Sequence, residues 1–298
     1  MIDSFLIVKV LGFSSLAFIV TILWTPFLTH FLYKYKMGKQ IRAAESAPVF
    51  NKLHAAKAGT PTMGGILIWG TTLAIAVIFL ILASVAPDSI FGRLNFLTRE
   101  QTYLPLGVLI FAAIVGFVDD LLGIRGIGKH GGGLNIKHKI AIYTGIATVG
   151  AYWFYAKLGW DSIHIPFMGN YEIGFWYIPL FIFVVFATAF SVNETDGLDG
   201  LAGGVLAIAF SSYIFIAIVQ GKTDLAVFCS VIVGALLAFL WFNIHPARFF
   251  MGDTGSMALG ITLGVMAMLT DTMFLLPFFG SVLVLESASV IVQLSVVD

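Results

Sequence analysis

Apolar runs of about 20 residues recur along this chain, and nothing else in the sequence restricts the fold so severely. A run of that length crosses the hydrocarbon core of a bilayer as a helix, and backbone in lipid must satisfy its own hydrogen bonds. Of the 298 residues, 59% are hydrophobic and 11% charged, with mean hydropathy +0.98, whereas soluble domains carry about 25% charged residues. That is the composition of an integral membrane protein. A transmembrane barrel would alternate apolar and polar residues in segments of roughly 10, a pattern this sequence lacks. The expected fold is all-α, a polytopic bundle of transmembrane helices forming a single integral membrane domain over 1–298.

Apolar windows place nine spans, near 4–33, 64–86, 103–122, 139–156, 175–192, 201–219, 225–243, 256–272 and 274–296. The break around Asp271 is the weakest, and Pro277 predicts a kink in the last span. Short apolar runs around Gly169-Asn170, a pair that often joins two strands, predict a small extracytoplasmic β-hairpin near 161–173. Eleven of the sixteen Lys and Arg residues fall in one set of loops (34–57, 125–139 and Arg248). By the positive-inside rule that set is cytoplasmic and the N-terminus faces out. Lys9 is the only early basic residue and no small-residue cleavage site follows, so the first span reads as retained. The lone Cys229 excludes a disulfide within the chain and a Cys-based zinc site. Zero net charge without a basic tract argues against a nucleic-acid partner.

The carboxylates now sort by side. Asp119, Asp120, Glu194, Asp196, Asp199 and Asp253 all fall in cytoplasmic loops or at adjoining span ends. Ionised groups bordering hydrocarbon cost several kcal/mol unless a cation, water or a partner compensates them. Their convergence from three separate loops predicts a metal or phosphate site at the membrane surface. Acids on the outward side, Asp224 and Asp271 among them, are spread singly and need only solvation.

Four segments carry candidate chemistry. KAGTPTMGGI (57–66) offers the Lys57 cation, the Thr62 hydroxyl and a Gly64-Gly65 backbone that a ligand could approach closely; it reads equally as a helix start with Thr60 as cap and Pro61 at the first helical position. In GFVDDLLG, Asp119 and Asp120 point about 100° apart on a helix and cannot both face one partner. Two carboxylates near a helix C-terminus also oppose the macrodipole, which implies a compensating cation. In NETDGLDGLAGG, Asn193, Asp196 and Asp199 lie either along one helical face or in a tight glycine loop entering a helix, where N–H groups could bind phosphate. FNIHPARFFMGDTGS holds Asn243, His245, a possible stacking face on Phe249 or Phe250, and Asp253 at a helix start capped by Thr254 or Ser256, suited to a Mg²⁺ ligand. Glu286 lies within the last span, a functional candidate or a structural hydrogen-bonder.

With KAGTPTMGG at 57–65, GFVDD at 116–120, the N-x-T-D-G-L-D-G-L-A run at 193–202, HPARFFMGDTGS at 245–256 and an E-x-x-S-V-I-x-Q pattern ending at Gln293, the chain resembles the polyprenyl-phosphate N-acetylhexosamine-1-phosphate transferases of glycosyltransferase family 4. Within that superfamily it is most similar to the phospho-N-acetylmuramoyl-pentapeptide transferase family. The resemblance implies a ten-span fold in the bacterial inner membrane, a cytoplasmic active site, a Mg²⁺ cofactor and a homodimer. It implies UDP-N-acetylmuramoyl-pentapeptide as donor and undecaprenyl phosphate as acceptor, with lipid I and UMP as products. Carried onto matching positions, Asp253 becomes the Mg²⁺ ligand and Asp119 the base or nucleophile. Asp120, Asn193, Asp196 and Asp199 complete the polar site, Lys57, Thr62 and Lys139 contact phosphates or nucleotide, and Phe250 stacks on uracil.

Two departures qualify the match. Gly123 stands where the family usually has a lysine, as in the related UDP-GlcNAc:polyprenyl-phosphate GlcNAc-1-phosphate transferases, the alternative enzyme. The family also continues past Gln293 into a histidine-bearing loop and a tenth span, so the sequence looks truncated at its C-terminus and reduced activity is the expectation. A cation transporter is the competing class, but transport sites lie near the bilayer midplane, where only Glu286 would suit.

Overall fold

The computed structural model describes residues 4–38, 59–99, 101–128 and 132–297. The helices are α1 (Ser4–Lys34), α2 (Ile66–Val85), a short α3 (Ile90–Leu94), α4 (Tyr103–Ile124), α5 (Ile136–Tyr152), α6 (Tyr177–Thr195), α7 (Leu201–Val219), α8 (Thr223–Asn243), α9 (Asp253–Leu269), a short α10 (Leu276–Phe279) and α11 (Ser281–Val297). A π-helical turn, Trp153–Lys157, extends α5. All nine apolar windows are helical, but length and composition support fewer than the nine expected spans. Among the described residues six helices are long and apolar enough to cross a membrane, or seven if the bent pair Met273–Phe279 and Ser281–Gln293 is one span. The helices α5 and α9 are shorter, at 17 residues each.

The reason α9 can be short lies in its position. Every residue from Asp253 to Leu269 is buried, with α4 packed along one side and α6 along another. Glycine permits that closeness. A Cβ on Gly116 of α4 would lie 2.2 Å from the Asp253 carbonyl oxygen, and one on Gly264 would lie 2.8 Å from the Val185 Cα of α6. Gly260 and Gly264 form the small-xxx-small spacing that brings membrane helices into backbone contact. A second layer consists of α8 with α1 on one flank and α7 on the other.

At the end of the bundle away from the aspartate loops, β1 (Ser162–Ile165) and β2 (Gly169–Glu172) form the expected antiparallel hairpin. Its turn precedes the Gly169-Asn170 pair, which lies within β2. The acids at this end do more than meet solvent: Asp271 Oδ1 accepts the His164 N–H at 3.0 Å, fastening the hairpin to the loop after α9. Asp224 Oδ1 pairs with the buried Lys9 ammonium at 3.5 Å. The last span bends by 83°, and Gly280 between its two helices marks the break, whereas Pro277 sits in the first turn of α10, where proline is tolerated.

Glycine's role in this packing can be checked. Gly116→Ala is expected to destabilise the bundle by about 1–3 kcal/mol, the usual cost of overpacking, while Gly107→Ala on the same helix, where a Cβ meets nothing within 4 Å, leaves it unchanged or raises it. Unfolding midpoints in detergent would measure both; equal midpoints would refute the close approach.

Candidate active site

The first turn of α9 gathers the aspartates. Asp253, its first residue, is 4% exposed, and its Oδ1 accepts from Lys139 Nζ at 3.0 Å and from Asn193 Nδ2 at 2.6 Å. The same ammonium lies 2.7 Å from Asp119 Oδ2. Three helices thus meet at one cation: α4 supplies Asp119, α5 supplies Lys139, and α9 supplies Asp253, with Asn193 joining from α6. Asp119 Oδ1 also accepts the Leu134 N–H. Two carboxylates facing one ammonium provide the compensation that their burial demands.

Asp120 points elsewhere, as helical geometry requires of adjacent residues. Its Oδ2 accepts the Thr254 N–H at 3.0 Å, and its Oδ1 lies 3.5 Å from the Thr62 hydroxyl. Asp196 Oδ2 accepts the Gly252 N–H at 2.9 Å. The cap of α9 is therefore not Thr254 or Ser256 but carboxylates delivered by other segments; the helix boundary residue is Gly252, which makes no side-chain cap. The Thr254 hydroxyl instead donates to the Ala113 carbonyl at 3.0 Å, back into α4.

The glycine-rich segment 59–65 also differs from both expectations. Pro61 does not begin a helix; α2 starts at Ile66 with Gly65 at its boundary. Residues 61–65 run alongside 250–251, with Phe250 N–H donating to Pro61 O and Gly64 and Gly65 N–H donating to Phe250 O and Met251 O, each at 2.8 Å. What approaches the Gly64-Gly65 backbone is the protein itself, since a Cβ on Gly65 would lie 2.3 Å from the Gly255 Cα. Thr62 is 1% exposed beneath this contact. Lys57 lies outside the described residues.

Asp196 and Asp199 occupy the turn between α6 and α7, not one helical face. Asp199 Oδ2 lies 2.9 Å from His245 Nδ1 and accepts the Ala247 N–H at 3.3 Å. Asn243, 4% exposed, ties the same region together by accepting the Gly200 N–H at 3.0 Å and donating to the Phe249 carbonyl at 2.8 Å. Of the two phenylalanines, Phe249 is buried against Phe239 and Phe242, and Phe250 is half-buried.

Three contributors carry weaker sequence signals. Ser256, one helical turn after Asp253, accepts from Asn193 Nδ2 at 3.0 Å, and its i,i+3 spacing from Asp253 marks it. Gly133 has φ +86°, and a Cβ there would lie 3.0 Å from Asp119 Oδ1, so only glycine lets the loop pass over that carboxylate without strain. Leu134 acts through its backbone alone, which no residue pattern reveals.

Among the described residues no three His, Cys, Asp or Glu side chains form a ready-made metal cage. Magnesium does not require one, because it is usually held by one or two carboxylates together with water and substrate phosphates. Asp119 and Asp253 already converge on a single cationic atom, so this oxygen donor set fits a hard divalent cation completed by phosphate.

Comparison with known proteins supplies the family. The family model described as glycosyl transferase family 4 matches residues 102–271, a stretch that contains Asp119, Lys139, Asn193 and Asp253, and so defines the class. A signature described for phospho-N-acetylmuramoyl-pentapeptide-transferase matches residues 57–68. Proteins of that name from Chloroflexus aggregans, Geobacillus sp. (strain WCH70) and Bacillus anthracis are 36%, 40% and 37% identical to this chain. The alignments cover 96%, 93% and 94% of this chain and 74%, 80% and 81% of those relatives. The chain belongs to the phospho-N-acetylmuramoyl-pentapeptide-transferase family.

Removing the shared ammonium should expose the electrostatic design. Lys139→Met leaves two buried carboxylates facing each other and is expected to destabilise the protein by about 3 kcal/mol, as when one partner of a buried pair is removed. Added Mg²⁺ should recover part of the lost unfolding midpoint, and by more than it shifts the wild type. A midpoint insensitive to the substitution would show that the three side chains do not depend on one another.

Proposed function

We propose that this protein transfers phospho-N-acetylmuramoyl-pentapeptide from UDP-N-acetylmuramoyl-pentapeptide to undecaprenyl phosphate, producing lipid I and UMP. The observation that carries the reading is Lys139 held between Asp119 and Asp253 at 2.7 and 3.0 Å, within the stretch that matches the family. Family membership supports the donor and acceptor. The excess of Lys and Arg in the same loops supports a cytoplasmic site in the bacterial inner membrane with the N-terminus outside. A homodimer is part of the same reading.

The reaction requires two anions to approach. A non-bridging oxygen of the lipid phosphate attacks the β-phosphorus of the donor; the bond from that phosphorus to the oxygen bridging the α-phosphate breaks, and UMP departs with its electron pair. Lys139 neutralises charge at the point of approach, and Asp119 accepts the proton if the lipid phosphate arrives as its monoanion. Mg²⁺, held by Asp253 with Asp119 beside it, would supply further charge neutralisation for the diphosphate. Asn193 keeps Asp253 oriented through the 2.6 Å hydrogen bond. The turn bearing Asp196 and Asp199 and the loop before α9 that bears His245 and Phe250 take the nucleotide side in this reading, together with Lys57. Each Asp119 oxygen already accepts a hydrogen bond, from Lys139 or from the Leu134 N–H, which lowers its nucleophilicity and favours direct attack by the lipid phosphate.

UMP release in membranes given each UDP-sugar tests the proposal. The muramoyl-pentapeptide donor should support Mg²⁺-dependent release, and Asp253→Asn should lower it by at least about 10²–10³-fold. Release from UDP-GlcNAc alone would overturn the donor. Without lipid acceptor, single-turnover release of UMP should be absent; its appearance would restore the covalent route.

A further inference from the structure

The loop between α8 and α9 carries His245 and Phe250, and its backbone from Arg248 to Met251 is bonded outward at every residue. The Arg248 N–H donates to the Phe242 carbonyl at 2.9 Å, and the guanidinium lies over the Phe242 ring at 5.6 Å. The Phe249 carbonyl accepts from Asn243 at 2.8 Å. Phe250 donates to the Pro61 carbonyl and accepts from the Gly64 N–H, and the Met251 carbonyl accepts the Gly65 N–H. Thus α8 holds one end of this stretch, and the 61–65 segment holds the other.

A third element takes part, and it lies outside both stretches that match the family, 102–271 and 57–68. The helix α1 packs along α8, which brings its C-terminal end beside the start of the loop. Tyr33, the penultimate residue of α1, donates its hydroxyl to the Arg248 carbonyl at 2.9 Å. The Arg248 residue is therefore fixed from two sides, its N–H by α8 and its carbonyl by α1. The chain just past α1 also braces the other end: the Met37 carbonyl accepts the Thr62 N–H at 2.8 Å, and Gly38 pairs with Pro61 in an antiparallel bridge. A tyrosine at a membrane surface needs no protein partner, because water and headgroups satisfy its hydroxyl. Tyr35 illustrates that case. It is as exposed as Tyr33, at 54% against 51%, and its ring packs on Phe31, but among the described residues its hydroxyl makes no hydrogen bond.

We infer that Tyr33 is a positioning residue for the nucleotide part of the donor: its hydroxyl holds the Arg248 carbonyl and so sets where Phe250, two residues later, presents its half-buried ring. The inference rests on the reading above, in which this loop takes the nucleotide side. One hydrogen bond at an exposed site adds little to the stability of the whole protein. Applied to the placement of a binding loop, the same small energy appears directly in affinity, because a loop that must be ordered by the ligand binds it less tightly.

Tyr33→Phe removes the hydroxyl and keeps the ring. The KM for the UDP-linked donor should rise about threefold, the low end for a single hydrogen bond. The kcat, the KM for undecaprenyl phosphate and the unfolding midpoint in detergent should stay unchanged, the pattern of lost uniform binding to one substrate. Tyr35→Phe should match the wild type throughout. An unchanged donor KM in Tyr33→Phe, an equal rise in Tyr35→Phe, or an equal rise for both substrates would overturn the inference.

Two measurements that need no turnover separate this outcome from failure of the transfer reading. In ligand-free protein, amide hydrogen exchange across 248–251 should be faster in Tyr33→Phe than in the wild type or Tyr35→Phe; equal exchange would overturn the proposal whatever reaction the protein performs. By calorimetry, the Kd for UMP should rise about threefold in Tyr33→Phe, and equal binding to the wild type and the variant would likewise overturn it. Faster exchange combined with no UMP binding to the wild type would locate the failure in the nucleotide reading and overturn the inference with it.

Discussion

The N-terminus of α9 carries the heaviest electrostatic demand in the molecule. Its helix is buried along its whole length, yet it opens with a carboxylate and with N–H groups that no earlier turn can satisfy. Each is met from a different part of the chain: Lys139 and Asn193 at Asp253, Asp120 at the Thr254 N–H, and Asp196 at the Gly252 N–H. The positive end of the helix dipole favours this concentration of negative charge. Leaving any of these groups unpaired in a dry interior would cost on the order of 1–3 kcal/mol or more. Assembly of the bundle and assembly of the site are consequently the same event.

Close packing turns that requirement into precise geometry. Gly116, Gly65 and Gly264 allow α4, the 61–65 segment and α6 to reach backbone contact with α9, so that short side chains such as Asp and Asn can bridge between elements. In lipid no hydrophobic force draws helices together, and the van der Waals attraction between backbones that meet at such glycines is a main source of association. Asp119, Asp120 and Asp253 are thereby held on rigid helix ends, while Asp199 and His245 lie on turns. Such a division suits a reaction in which phosphate groups must be placed closely and a larger, variable group must enter and leave.

The bilayer explains the remaining asymmetry. At the hairpin end, the pairing of Lys9 with Asp224 and the hydrogen bond from the hairpin backbone to Asp271 are structural ties. Between α4 and α5, by contrast, lies a cavity that no charged side chain among the described residues lines.

Much of this was legible in one dimension. Helix positions followed from the length of apolar runs, because a membrane penalises every unpaired backbone group; loop charge brought Asp119 and Asp253 to one face, and Asn193 and Lys139 joined them only through the family resemblance. The hairpin was visible, and so was the divergence of Asp119 and Asp120. Periodicity could not reveal that α9 is enclosed on all sides, since a buried helix and a lipid-facing helix are equally apolar. Nor could it separate glycines that admit a ligand from glycines that admit a neighbouring segment, which is why the segment with Gly64 and Gly65 read equally as a ligand loop or a helix start and is instead a backbone clamp. The capping of α9 by Asp120 and Asp196 was equally hidden, because the hydrogen bonds span 134 and 56 residues. The sequence by itself determined that this chain crosses a membrane and which residues carry charge to its surface, through transfer free energies that act residue by residue. Only the tertiary structure decided which carboxylates share a cation and which cap a helix, because those roles depend on distances between elements that no local pattern encodes.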